Sequence, residues 1–285
     1  MAQTKNNAKK QEQKVENDTI CNENEKNIPQ NKEFELTEEN YYSKESNQKY
    51  MSYSQFKDFC KCPACAMAKI NGTWKEEKTD SLLVGSFVDA WLDGTVETFK
   101  EQNPDIYNSR TGELKAQFKQ AEELCEVIKN DEFLYQTLKG KRQVIVTGNI
   151  AGVKFKGKID SLTDQYIVDG KVLRDCNETW VDGSKKPFYM ANRYDLQAVI
   201  YTILYRQQTG DDKTYLLAIV TKEKVADKRL VKINPNAYED ALQEIIAKAP
   251  IFDAMKKGEE EAYGCGVCDY CKSIRKLNEN MIEEI

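Results

Sequence analysis

The chain of 285 residues contains no histidine. That one absence removes Ser-His-Asp and Cys-His nucleophilic mechanisms, nucleases that ligate metal through imidazole, and HExxH peptidases. Any chemistry must come from carboxylates, Lys, Tyr, Cys or a bound metal. No apolar run approaches the roughly 18 residues a membrane span needs. The N-terminus shows no apolar stretch of the signal-peptide kind, so a cytoplasmic protein with no membrane association is the expectation. No internal repeat is visible. The net charge of −5 neither favours nor excludes nucleic acid, because a basic groove can sit inside an acidic total.

Cysteine, by contrast, is plentiful: nine residues, six of them in two tight clusters. Cys60, Cys62 and Cys65 lie in "CKCPAC", and Cys265, Cys268 and Cys271 in "CGVCDYC". Cys21, Cys125 and Cys176 stand alone, with Cys125 on an apolar helical stripe that marks it as core. An odd count in a chain expected to be cytosolic argues against a disulfide framework and for metal ligation. Three thiolates at C-x2-C-x2-C converge on one point, which suits zinc or an iron–sulfur cluster with a fourth ligand from the first group.

Residues 1–48 are rich in Lys, Asn, Gln and Glu and show no periodicity, so a disordered polar tail is expected there. Residues 49–285 form the expected single domain. "SYSQFKDFCKCPACAMAKI" reads as a short helix, with Ser52 and Gln55 spaced as a capping box. Leu83, Phe87 and Trp91 fall at helical spacing, as do Leu114, Phe118, Ala121, Leu124 and Ile128. From about residue 142 the period becomes two, giving three strands joined at turns carrying Gly148, Asn149 or Asp164. A long amphipathic helix ended by Gly210, a doubly buried strand "TYLLAIVTK" and a helix over about 235–256 follow. This order predicts an α/β core, a small mixed sheet flanked by helices.

Within "GKIDSLTDQYIVDGK", residues two apart share a strand face. Asp169 and Lys171 therefore project together, and Lys154, Lys156, Lys158 and Asp160 share a face of the preceding strand. Pairing the strands brings Asp160 near Asp169 and Lys171. Two carboxylates at one spot repel each other unless a divalent cation sits between them, and hard oxygen ligands suit Mg²⁺ or Mn²⁺. A neighbouring lysine can orient or deprotonate an attacking water and stabilise an anionic phosphoryl oxygen. Taken alone, the same residues also describe a hairpin with a solvated charged face. Gly170, between the two charges, marks a close backbone approach.

The ordered set resembles the PD-(D/E)xK nuclease superfamily over about residues 52–272. Asp160 followed by Asp169-Gly170-Lys171 is similar to the D…(D/E)xK signature. "GSFVDAWLD" (Gly85, Asp89, Asp93) resembles the G-xxx-H-xxx-E helix of the RecB-type branch, with Asp in place of both His and Glu. "LQAVIY" supplies Gln197 and Tyr201 at the positions of a Q-xxx-Y motif. The resemblance implies a restriction-endonuclease-like core in which Asp160 and Asp169 hold Mg²⁺ or Mn²⁺, Asp89 adds a ligand and Lys171 is the catalytic lysine. Gln197 and Tyr201 then line the site and contact DNA, with Lys156 and Lys158 as further candidate phosphate contacts. Aspartate at position 89 adds negative charge, which either favours a hard cation or marks a site that has lost activity.

RecB-type relatives with one N-terminal and three C-terminal cysteines enclose a [4Fe–4S] cluster. By that resemblance Cys60 joins Cys265, Cys268 and Cys271, with Cys62 or Cys65 as alternatives and Zn²⁺ as the competing occupant. The likeness to RecE-type phage or prophage proteins implies a metal-dependent exonuclease. It would process linear double-stranded DNA ends for recombination, in the cytoplasm of a bacterial host, as a homo-oligomer working with a single-strand annealing recombinase. The alternative is a catalytically inactive nuclease-fold protein that binds DNA or a partner and is stabilised by its cysteine metal site.

Overall fold

The period-two stretch folds as a meander: β2 (Lys141–Ile150), β3 (Val153–Leu162) and β4 (Tyr166–Leu173), numbered after the two-residue strand β1 (Met51–Ser52). In this computed structural model the described residues are 34–277 except 78 and 182, together with 279 and 282. All that follows concerns the compact unit Leu36–Ile285. The reversal between β2 and β3 is made by Ala151 and Gly152 at φ 51° and 81°, so Gly148 and Asn149 stay inside the strand. A Cβ at Gly148 would lie 2.3 Å from Gln207 Oε1, so a side chain there would displace the Gln207 amide from its contact with Asn149 N–H.

Helices α1 (Lys44–Lys49), α2 (Tyr53–Lys61), α3 (Pro63–Asn71), α4 (Asp80–Asp93), α5 (Val96–Gln102), α6 (Ala116–Lys129) and α7 (Glu132–Leu138) precede the meander. After it come a separate hairpin of β5 (Thr179–Val181) and β6 (Ser184–Lys186), then α8 (Phe188–Ala191) and α9 (Tyr194–Thr209). Strands β7 (Thr214–Thr221) and β8 (Lys228–Lys232), with α10 (Pro235–Lys257) and α11 (Asp269–Ser273), complete the chain. The capping box of Ser52 and Gln55 forms as expected and starts α2. The single helix expected there is two, because Pro63 cannot donate to the preceding turn and Cys62 goes extended at φ −162°.

Six strands make one mixed sheet in the order β1-β3-β4-β7-β8, with β2 on the other edge of β3. The run "TYLLAIVT" pairs on both sides, parallel to β4 and antiparallel to β8, and every residue after Thr214 is buried. One face of the sheet packs on α2, α9 and α10 through Phe56, Phe155, Ile159, Leu217, Leu204 and Phe252. The other packs on α4, α6 and α7 through Val168, Ala218, Phe87, Phe118 and Leu124. Each fully buried Phe contributes on the order of 1.5–3 kcal/mol, so the two cores hold the sheet rigidly between helical layers.

The expected tail boundary near residue 48 is corrected in part. Residues 1–33 lie outside the described residues, but α1 is folded and Tyr41 and Ser46 are buried. Their burial has a specific cause. The Lys156 ammonium donates to Tyr41 O, Ser46 Oγ and Asn47 Oδ1, which staples this segment onto β3.

Candidate active site

Strand β3 carries two different neighbours on one edge. Its first half pairs with β1 at Phe155 and Lys156, and its end pairs with β4 at Ser161↔Val168 and Leu162↔Ile167. The next pair in the β3–β4 register would be Asp160 with Asp169, and there the strands part. On the opposite edge the residue of β2 level with Asp160 is Gln143, which takes φ 55° and interrupts its own ladder. The left-handed backbone of Gln143 beside Asp160 is a local cost of the kind that accumulates at functional sites.

Across the fork, the Gly170 N–H donates to Asp160 Oδ2 at 3.1 Å. Asp169, only 1% exposed, accepts from Gln197 Nε2 at 2.6 Å and pairs through Oδ2 with the Lys171 ammonium. Lys171 also lies 5.4 Å from the centre of the Tyr194 ring. Tyr201, one turn beyond Gln197 on α9, lays its ring against the gap in the sheet edge; a Cβ on Gly157 would come within 2.9 Å of it. Asp89, from α4, lines the same cleft as Lys171, Gln197 and Tyr201. Asp160 lines an adjoining cavity, and Tyr53, Ser54 and Tyr201 border both. The cavities measure about 540 and 340 Å³, so the cleft extends to either side of the carboxylates.

Electrostatics follow from three acids around one ammonium. Burial raises Asp160 well above the usual carboxylate range, and Asp169 adds to the rise. Burial also pushes Asp89 up to about 6, against the pull of Lys171 and Arg142. Burial works against the Lys171 charge, yet Asp169 and Asp160 outweigh it and hold this ammonium above the ordinary lysine range. Asp93 is turned away from the cluster: it accepts from Arg142 Nε at 2.6 Å and Gln143 Nε2 at 3.2 Å. It thereby fixes Arg142, a charge the sequence reading missed. Only the β2–β3 register, which sets Arg142 opposite Ser161, could have shown it beside the site.

The residues fit a hard divalent cation. Asp89, Asp160 and Asp169 are oxygen donors carrying like charge in a confined space. Among the described residues, Asp169 Oδ2 faces only the Lys171 ammonium and the buried Gln197 Oε1 accepts no hydrogen bond. Lys156, expected to contact DNA, borders the cavity beside Lys158 and Asp160, but it is 1% exposed and spends its donors on the α1 segment. The expectation failed because alternation along a strand does not tell a solvent face from one covered by distant chain. Lys158 does reach the cavity, with its ammonium 5.7 and 5.4 Å from the ring centres of Tyr41 and Tyr42.

Away from this cleft, Cys62, Cys265, Cys268 and Cys271 bring their sulfurs within 4.8 Å of one another. Among the described residues no other group of acids or thiols is so tightly set. The expected fourth member, Cys60, is corrected to Cys62. Cys60 lies in the last turn of α2 and faces Glu244 of α10 at 3.6 Å, whereas the extended Cys62 swings to the C-terminal loop. Cys62 Sγ lies 3.6 Å from Cys271 Sγ and accepts from Cys265 N–H at 3.3 Å. Cys268 N–H likewise donates to Cys265 Sγ at 3.3 Å. Backbone donors, those of Val267 and Cys268 first, bring the Cys265 thiol down to about 6. Burial pushes Cys60 and Cys65 up to about 11, which leaves both as neutral thiols.

Residues 52–274 match the model of a family described as "PDDEXK-like domain of unknown function (DUF3799)". A crystal structure from Eubacterium rectale, named "Putative exonuclease", is 39% identical at a TM-score of 0.83, covering 86% of this chain and 96% of that one. A second solved structure, SSO0001, is 13% identical over 72% of this chain and 92% of that one, at a TM-score of 0.30. No curated protein matches the chain. No helix among the described residues is long and apolar enough to cross a membrane.

Proposed function

Because the chain belongs to the DUF3799 family of PDDEXK-like domains, we propose that it is a metal-dependent deoxyribonuclease that hydrolyses phosphodiester bonds as an exonuclease. The observation that carries this reading is the fork itself. Asp160 and Asp169 stand opposite each other where β3 and β4 separate, tied by the Gly170 N–H, with Lys171 on Asp169. The name of the Eubacterium rectale protein points the same way. A cleft continuing on both sides of the carboxylates suits a polymer better than a small phosphoester.

Asp160 and Asp169 would hold Mg²⁺ or Mn²⁺, with Asp89 as the third oxygen ligand. When bound, the cation supplies Lewis-acid polarisation of the phosphate and of the attacking water. Lys171, kept protonated by Asp169 and Asp160, stabilises the charge that develops on a non-bridging phosphate oxygen. Gln197 fixes the rotamer of Asp169, and Tyr201 with Gly157 walls the cleft. Aspartate at position 89 does not starve the site of a donor, since its oxygen serves a hard cation as well as imidazole serves a softer one. Processing of DNA ends for recombination, beside an annealing partner, is the cellular role that this activity would serve.

For the four cysteines we propose a structural metal that ties the two ends of the domain together. Thiolates tetrahedral about one ion at Zn–S of about 2.3 Å lie about 3.8 Å apart. The 3.6 Å contact between Cys62 and Cys271 fits that spacing, and it favours Zn²⁺ over a [4Fe–4S] cluster, which interposes its own atoms between its ligands.

The test is degradation of linear duplex and single-stranded DNA with Mg²⁺ or Mn²⁺, by the wild type and by Asp169→Ala and Lys171→Ala. Cleavage should require the metal and vanish in both variants while their thermal unfolding stays cooperative. Full activity in either variant sinks the assignment.

A further inference from the structure

The described residues of hairpin β5–β6 line neither cavity of the site above, yet the hairpin is inserted between segments that do. It lies between β4 and α9, and residues flanking it on either side, Arg174 before and Asn192 and Tyr194 after, line the cleft that holds Asp89 and Lys171. Its register sets Trp180 directly opposite Lys185, and opposed residues share a face. Both are exposed, Trp180 at 68%, whereas Val181 and Lys186 are partly buried. The hairpin thus presents an indole with a lysine beside it to solvent, while its other face is covered only in part, at Val181 and Lys186.

That exposure is specific to this tryptophan. Trp74 and Trp91 pack on Tyr270 and Tyr135 at 5.6 and 6.0 Å between ring centres. An indole left in water forgoes the stabilisation of burial, so fold stability gives no reason for Trp180 at this position.

We propose that Trp180 is a stacking platform for an unpaired nucleobase of the DNA strand that leads into the cleft, with Lys185 on an adjacent phosphate. This rests on the nuclease reading above. Every base offers a π-face, so an indole binds a strand without reading its sequence, and a neighbouring lysine adds charge for the backbone. Arg174, at the root, pairs with Asp175 at 2.7 Å, and Lys185 is the cation that the hairpin register sets on the indole face. A second copy of the chain is the poorer occupant. One indole and one lysine fall far short of the roughly 800 Å² per partner of a stable interface, while the segments that lead into and out of the hairpin line the cleft.

The experiment titrates full-length protein in Ca²⁺, followed by tryptophan emission and by anisotropy of a labelled single-stranded oligothymidine. Binding should quench the solvent-exposed component of the emission. Trp180→Ala should lose that quench and bind about tenfold more weakly, Trp180→Phe should keep most of the affinity, and both should elute from a sizing column as the wild type does. If the wild type binds the oligonucleotide but Trp180→Ala binds equally well, the platform is wrong and the nuclease reading stands. Should the wild type bind no DNA at all, both fall. A Trp180→Ala protein that loses oligomerisation and retains affinity would make the patch a self-contact and overturn the proposal.

Discussion

The Gly170 backbone N–H donates to Asp160 Oδ2 at 3.1 Å across the point where β3 and β4 separate. An amide that has lost its ladder partner on β3 is satisfied by the side chain of Asp160, the residue level with its neighbour Asp169. The bond holds the fork open at a fixed width and aims Asp160 at the position level with Asp169. Asp160 therefore has one duty towards the backbone and, in the proposed mechanism, a second towards a cation.

Those duties separate on substitution. Asp160→Asn keeps an acceptor for Gly170 N–H and removes a buried charge that burial and Asp169 both disfavour. It should be as stable as the wild type or more so, and inactive. Asp160→Ala leaves the amide unpaired and should be less stable than Asp160→Asn by about 1–3 kcal/mol. Urea unfolding in EDTA, with DNA degradation in Mg²⁺ as the second readout, checks both. Equal stability of the two variants would remove the structural duty.

In the proposed mechanism Gln197 is a positioning residue, since it donates to Asp169 at 2.6 Å. Gln197→Leu should lower kcat by about 10- to 100-fold, the usual cost of losing the group that orients a metal ligand, and weaken the apparent Mg²⁺ affinity. Restoring Mg²⁺ to saturation should recover part of the rate. An unchanged metal dependence with a raised KM for DNA would instead make Gln197 a substrate contact.

How far the sequence could carry this reading depended on whether a residue's environment is local. The capping box at Ser52, the helix stripe through Phe118, Leu124 and Ile128 and the doubly buried β7 were all legible, because each is written in a few adjacent residues. So was the chain order of Asp160, Asp169, Lys171, Gln197 and Tyr201. What periodicity could not supply was long-range partnering. Lys156 looked solvated until α1, more than a hundred positions away in sequence, covered it. Arg142 gains its place only through Asp93, and Cys62 rather than Cys60 faces the C-terminal thiols because Pro63 breaks the helix between them. β8 escaped notice since its five residues are mostly exposed and charged.

Lys156 offers a test in which pH supplies the sign. Burial brings its ammonium down from the ordinary 10.5 to about 8. Below about 8 the folded and unfolded chains both carry the proton, so the cost of burying it is constant. Between 8 and 10.5 the folded protein has released a proton that the unfolded chain keeps, and the cost fades. Relative to Lys156→Met, the wild type should therefore gain stability as pH rises through that window, by up to about 3 kcal/mol. Paired urea titrations at several pH values measure the gap. DNA affinity and its salt dependence should be the same in both proteins, as expected of a staple that touches no phosphate.

The cysteine centre is tested by separating two neighbours of the same type. Cys62 Sγ lies within 4.8 Å of the sulfurs of Cys265, Cys268 and Cys271, whereas Cys60 faces Glu244. Cys62→Ser should strip the metal, and because a structural site contributes folding free energy outright, it should lower the melting temperature and free the C-terminal segment for proteolysis. Cys60→Ser should leave metal content unchanged and cost little stability, since a hydroxyl can still donate to Glu244. Elemental analysis of anaerobically purified protein gives the occupant. One zinc per chain in a colourless protein supports the single tetrahedral ion, whereas iron with matching sulfide and visible absorbance restores the cluster. Metal loss in Cys60→Ser but not in Cys62→Ser would reverse the assignment of the fourth ligand.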